Sequence, residues 1–169
     1  MKNSKFLIII ICIVISVILG LAWVRSGDKP AVVQVETKTN QVGIYLQPED
    51  VSANNGEEFV INIIENSNEE PVNAVEARLS FDPTLLQYVS VENSKDFEIV
   101  AGTKNDNGVI TVSRATVTKK SGNKLVASLK FKPIKSGQAE IKTDGSIIAS
   151  ATSHSDISKY FGLSKVTIK

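Results

Sequence analysis

The stretch Val72-Asn73-Ala74-Val75-Glu76-Ala77-Arg78-Leu79-Ser80-Phe81-Asp82-Pro83 decides the reading of this chain. Val75, Ala77, Leu79 and Phe81 fall at every second position, with Glu76, Arg78 and Ser80 between them. A repeat of two marks a strand with one buried and one wet face. Asp82-Pro83 ends it, because proline has no amide hydrogen for a ladder and aspartate bonds its own local backbone in turns. Leu85 and Leu86 follow at once, so the chain turns back over the same core.

Outward from this strand the same texture repeats. Toward the N-terminus, Val42 to Leu46 alternates and stops at Pro48, Asn54-Asn55-Gly56 reads as a turn, and Phe59 to Ile64 is β-branched and aromatic. Asn66 to Pro71 is a polar loop. Toward the C-terminus, Tyr88–Val91, Phe97–Val100 and Val109–Ala115 read as strands, with Ile110 and Val112 on one face and the turn cluster Lys104–Gly108 before them. Thr118 to Lys124 has the pattern of a hairpin tip around Gly122. Leu125, Ala127, Leu129 and Phe131 then repeat the alternation, with Val126, Ser128, Lys130 and Lys132 on the other face and Pro133 as the stop. Ala139 and Ile141 after Gly137, then Ile147–Ala149 and Val166–Ile168, supply the last strands, and Asp156 to Tyr160 reads as one helical turn capped by Asp156. About nine short strands at regular spacing, with almost no helical period, predict an all-β antiparallel sandwich.

Phe6 to Val24 is a different kind of segment, an almost unbroken apolar run. Nineteen residues of helix rise roughly 28 Å, close to the thickness of a bilayer's hydrocarbon core. Lys2 and Lys5 before it place the N-terminus in the cytoplasm and the rest of the chain outside, and Trp23 sits where an interfacial anchor belongs. The competing reading is a cleaved signal, with Gly20-Leu21-Ala22 as the small-x-small site. Either way the domain is exported. The expected organisation is an anchor over 1–25, a tether over 26–41 and the sandwich over 42–169. Within the tether, Val32 to Val35 is a β-prone patch.

Composition limits the chemistry. The lone cysteine, Cys12, lies inside the apolar run, so no internal disulfide forms, and the lone histidine, His154, excludes a histidine-rich metal site. Acid–base catalysis needs groups whose surroundings push their pKa values apart. Glu57-Glu58 and Glu69-Glu70 instead lie in turn-like, solvated stretches, and His154, in Thr-Ser-His-Ser-Asp, reads as a loop residue rather than a catalytic one. Asp106-Asn107-Gly108 has oxygen ligands of the kind calcium takes but lacks the other acidic positions of a calcium loop, so it reads as a tight turn. Asp82 reads as a turn cap. No enzyme, cofactor or metal is expected.

Charge is unevenly spread. Ser26 to Val100 holds 4 Lys/Arg and 14 Asp/Glu, whereas Ala101 to Lys169 holds 12 and 4. The split suggests either a polar binding face or, as favoured here, halves that pair off because their strands alternate. Lys119-Lys120-Ser121-Gly122-Asn123-Lys124 is a solvated tip, or a contact for anionic polymer or lipid. The exported part is not basic overall, so nucleic acid is not an expected partner. Tyr45, Tyr88 and Tyr160 are the only tyrosines, and Phe59, Phe81 and Phe131 fall on inward faces. No row of exposed rings is predicted for stacking on sugar.

Several of these pieces together resemble one family. Gly56-Glu57-Glu58-Phe59-Val60-Ile61, then Val75 to Phe81 into Asp82-Pro83, then Leu85-Leu86, is similar to the opening of a bacterial cohesin domain. Leu125 to Lys132 followed by Gly137 resembles that family's later strand and glycine turn. The matching positions are Gly56, Phe59, Phe81, Asp82, Pro83, Phe131 and Gly137, all structural, with Phe81 where the family often has tyrosine. The resemblance implies a nine-stranded, jelly-roll-like sandwich. It also implies a non-catalytic module that holds a dockerin, whose calcium ions belong to the dockerin. The expected function is therefore protein–protein attachment at the cell surface by a membrane-anchored domain. Polysaccharide binding and a ligand-free spacer are the alternatives.

Overall fold

The structure is a computed structural model, and it describes residues 41–169. The apolar run, the tether with its Val32–Val35 patch and the cleavage site at Ala22 lie outside the described residues. Among the described residues no helix is long and apolar enough to cross a membrane.

The described residues form twelve strands: β1 Gly43–Gln47, β2 Asp50–Ala53, β3 Phe59–Asn66, β4 Val72–Ser80, β5 Leu86–Asn93, β6 Ile99–Asp106, β7 Val109–Lys120, β8 Asn123–Pro133, β9 Gly137–Lys142, β10 Ile147–Ser150, β11 Tyr160–Phe161 and β12 Leu163–Ile168. They form two sheets. The five-stranded sheet has the order β11-β1-β3-β8-β5; the seven-stranded sheet has the order β2-β12-β9-β4-β7-β6, with β10 also on β4.

The deciding stretch is β4, and its alternation holds: Val75, Ala77 and Leu79 are buried while Glu76 and Arg78 are exposed. It lies inside the seven-stranded sheet, with β7 on one side and β9 and β10 on the other. The core forms between this sheet's inner residues, Val75, Leu79, Ile110, Val112, Ile141 and Val166, and Ile44, Leu46, Ile61, Leu129 and Phe131 of the other sheet. Each such side chain, fully withdrawn from water, contributes about 2 kcal/mol.

The structure differs from the sequence reading in several places. The sheets are mixed rather than purely antiparallel, because β1 pairs β11 and β2 pairs β12 in parallel. Both pairings arise from one device. The first strand breaks at Pro48 and passes from one sheet to the other; the last breaks at Gly162 and does the same beside it. Gly162 donates to Ile44 O at 2.8 Å, and a Cβ there would meet Leu46 N at 2.8 Å, so only glycine lets the two chains approach this closely. These breaks add the short β2 and β11, which the sequence reading did not separate out, and bring the count among the described residues to twelve.

Thr118–Lys124 is not a hairpin, because β7 and β8 belong to different sheets and the tip carries the chain between them. Asp156–Tyr160 makes no helical turn. Asp156 Oδ1 instead accepts from the amides of Ser158 (2.9 Å) and Ile148 (3.2 Å), tying the loop to β10. Lys104 to Asp106 belong to strand β6, and the turn narrows to Asn107-Gly108, both at positive φ, the favoured two-residue hairpin loop. Finally, a register shift between Ile63 and Ile64 places Val126 as an extra residue on β8. Val126 is fully buried and Leu125 only half-buried, the reverse of strict alternation.

Candidate docking face

The outer surface of the seven-stranded sheet is a grid of four cross-strand rows. Ala149, Ala74, Ala115 and Ile99 form the first; Ile147, Glu76, Ser113 and Gly102 the second. Arg78, Thr111 and Lys104 form the third; Lys142, Ser80, Val109 and Asp106 the fourth. The residues between them on β4, β7 and β10 are buried, so these point outward.

The first two rows are flat and mostly small. Ile99 and Ile147 are each 42% exposed. Charged side chains are sparse there, and Glu76 is held by the Ser113 hydroxyl at 3.2 Å. Exposed aliphatic groups set among alanines and glycine allow a partner's backbone to come close and exclude water, the composition of an interface core.

The opposite face of the sandwich is different. On the five-stranded sheet the Ser128 hydroxyl donates to Asn62 Oδ1 at 2.7 Å, and Lys130 pairs with Glu58 at 3.4 Å. Glu58 belongs to the acidic half of the sequence and Lys130 to the basic half. The topology sets strands of the two halves side by side in places, with β8 between β3 and β5 and β4 between β9 and β7.

The family-like positions from the sequence gather at one end of the sandwich, next to the fourth row of the grid. Phe131 is fully buried, with the Phe59, Phe81 and Tyr88 rings at 5.9, 5.3 and 6.2 Å. Asp82 Oδ1 accepts from the Thr84 amide at 2.8 Å and the Thr84 hydroxyl at 2.7 Å, which lowers its pKa and closes the turn before Leu85. Gly56 N donates to Pro133 O at 2.9 Å, and Gly137 lies against Leu85. The backbone of Phe81 donates to Gly108 O at 2.8 Å, so the Asn107-Gly108 turn packs on Asp82-Pro83. His154 is exposed in a turn at positive φ, and Asp156 is turned to Ile148 and Ser158. Among the described residues no three His, Cys, Asp or Glu come together. An open cleft of about 810 Å³ lies where β9 leaves β4, lined by Asp50, Phe81, Asp82, Gln138, Glu140 and Lys142.

Two residues that the sequence reading passed over are the least ordinary in the fold. Arg114 is 1% exposed. Its guanidinium donates to Gly102 O (2.7 Å), Ser113 O (2.9 Å), Asn93 Oδ1 (2.8 Å) and Thr103 Oγ1 (3.0 Å), joining β5 of one sheet to β6 and β7 of the other. The signal was present, because Arg114 has the parity of Ile110 and Val112. Glu65 is fully buried with no hydrogen-bond partner on either carboxylate oxygen.

The family model for the cohesin domain matches residues 44–168. A cohesin module from a Clostridium perfringens family 33 glycoside hydrolase superposes with a TM-score of 0.66 at 11% identity, covering 78% of this chain and 98% of that one. The sixth cohesin of Acetivibrio cellulolyticus scaffoldin B, solved in complex with a Cel5 dockerin, gives 0.62 at 18% identity over 75% and 99%. A non-cellulosomal cohesin from the archaeon Archaeoglobus fulgidus gives 0.61 at 16% over 75% and 91%. No curated protein matches the chain. With the match spanning both sheets from β1 to β12, this chain belongs to the cohesin domain family.

Proposed function

We propose that this protein is a non-catalytic docking module, held outside the cell by its N-terminal apolar segment, which binds a dockerin-bearing protein through the outer face of the seven-stranded sheet. The observation that carries the reading is the grid itself: Ala74, Ala115, Ala149, Ile99 and Ile147 lie together on four adjacent strands as small or aliphatic residues, with Glu76 the one charged side chain in the first two rows. Solved cohesins in complex with dockerins, from Acetivibrio cellulolyticus and Clostridium thermocellum, support a dockerin as the kind of partner. The run Phe6–Val24, preceded by Lys2 and Lys5, supports the anchor and its orientation.

Polysaccharide has less behind it. The Phe131 ring is fully buried, Phe59 and Phe81 are packed against it, and the cleft beside β9 offers charged groups rather than a platform for sugar stacking.

The test is binding of the full chain in detergent to a panel of purified dockerin modules, with Ile147→Asp and Ala115→Arg as probes. Both changes are expected to weaken binding by about tenfold or more, since a charge at the centre of such a contact is left desolvated and unpaired. Both should leave the melting temperature unchanged. Undiminished binding by both variants removes the face from the proposal; no binding to any dockerin leaves the spacer reading. Protease added to intact cells should digest the domain, and its protection would overturn the orientation.

A further inference from the structure

At the end of the sandwich opposite the aromatic cluster, β3 runs between β1 and β8, and Glu65 faces Ile44 on one side and Lys124 on the other. Here the chain enters the domain: Gln41 O accepts from Asn66 Nδ2 at 3.3 Å and from the Tyr45 hydroxyl at 2.7 Å. The loop after β3 is held by Asn68 N to Asn66 Oδ1 (3.0 Å), Glu70 N to Ser67 O (3.0 Å) and Ser67 N to Gly122 O (3.4 Å).

Inside this closure are three buried polar atoms without partners, both carboxylate oxygens of Glu65 and the Ser67 hydroxyl oxygen. A carboxylate that gains no hydrogen bond on folding is strongly disfavoured in its charged form. Ser67 is the polar neighbour: its hydroxyl can donate to the charged carboxyl or accept from the protonated one, so it is the burial of Glu65 that favours the proton.

We propose that Glu65 is a proton-controlled latch. Protonated, it stays within the sandwich and keeps the loop Ser67–Pro71 and the start of β1 closed; on losing the proton it draws them open toward water.

The surrounding charges fit this role. Burial pushes the Glu65 carboxyl up to about 7; the Ser67 hydroxyl and Lys124 on β8 pull it partly back, and Asp96 before β6 pushes it further. Asp96 is engaged by the Leu125 amide at 3.1 Å, Glu70 accepts from the Ser150 hydroxyl, and Glu69 is exposed. Lys124 is thus the single opposite charge among the groups acting on Glu65, and it stands on a different strand.

The experiment is hydrogen–deuterium exchange on the full chain in detergent, corrected for the intrinsic pH dependence of exchange. With a carboxyl near 7 closed and near 4.5 open, the opening equilibrium over Glu65–Pro71 should rise about tenfold between pH 6 and pH 8. Peptides covering Ile110–Val112 serve as the reference and should not change. The isosteric Glu65→Gln variant should show no rise. An equal rise in that variant, or none in the wild type, overturns the proposal. Carbon-13 titration of Glu65 in the wild type decides independently of any variant: a midpoint near 7 supports the latch, and an ordinary glutamate midpoint ends it.

Discussion

Replacing Arg114 with methionine tests the account of how the open side of the sandwich is closed. Methionine keeps most of the apolar stem and removes the guanidinium. Lost with it are four hydrogen bonds of 2.7 to 3.0 Å, to Gly102 O, Asn93 Oδ1, Ser113 O and Thr103 Oγ1. Bonds to a charged group contribute about 1.5–3 kcal/mol each, so the gross loss is roughly 6–12 kcal/mol. Against this stands the cost of burying an unpaired cation, several kcal/mol; burial also lowers the Arg114 pKa, and no carboxylate bonds to it. Water reaches Asn93 and Gly102 at the sheet edges once the arginine is gone, which offsets some of the loss. The expected net effect is a destabilisation of about 2–4 kcal/mol. Urea unfolding should show it as a lower midpoint at unchanged slope. The loss should also be local, with faster amide exchange at Gly102 and Thr103 and none at Ile61 and Ile63. Arg114→Lys should fare little better, because one ammonium cannot span carbonyls on two strands and Asn93 on a third. A methionine variant as stable as the wild type, or more so, would refute the reasoning. It would show that desolvation outweighs the four bonds and that the sheets close without them.

Three further outcomes follow from the packing. Gly108→Ala should cost about 2 kcal/mol or more in urea unfolding, because its φ is +86° and a Cβ would lie 2.6 Å from Phe81 O and 2.9 Å from Pro83 Cδ. Phe131→Ala should cost about 3–5 kcal/mol, and Phe131→Leu distinctly less, since leucine refills the volume but loses the ring contacts with Phe59, Phe81 and Tyr88. Glu65 makes overall stability depend on pH. Its folded pKa lies above the unfolded one, so the native state holds the proton more tightly. Its contribution is fully present below pH 4.5 and is lost as pH rises through 7. Stability of the wild type relative to Glu65→Gln should therefore fall by about 2.5 kcal/mol from pH 5 to pH 8, measured by unfolding at each pH. A flat difference would contradict the burial of a free carboxylate.

Much of the fold was legible in local pattern. Val75, Ala77 and Leu79 announced an inward face, the Lys104–Gly108 cluster announced a turn, though a longer one than forms, and Asp82-Pro83 announced a stop; each is set by groups within a few residues of one another. The grid was not legible. Its neighbours Ala74, Ala115, Ala149 and Ile99 come from four strands, and each taken alone is an unremarkable small or aliphatic residue. Glu65 has the parity of Ile61 and Ile63, so its inward position was legible; that the folded chain leaves it wholly buried was not, because that depends on what the other strands place around it.

From sequence alone came the strand composition, the apolar leader and which side chains share a face of one strand. A period of two is a property of the backbone and needs no partner. The choice of neighbour needed the folded chain. Only there does β7 part from β8 into the other sheet, do the breaks at Pro48 and Gly162 lie side by side and does Arg114 meet acceptors on three strands. Strand pairing is decided by contacts between residues far apart in the chain, where the burial gained by one arrangement competes with that gained by every other.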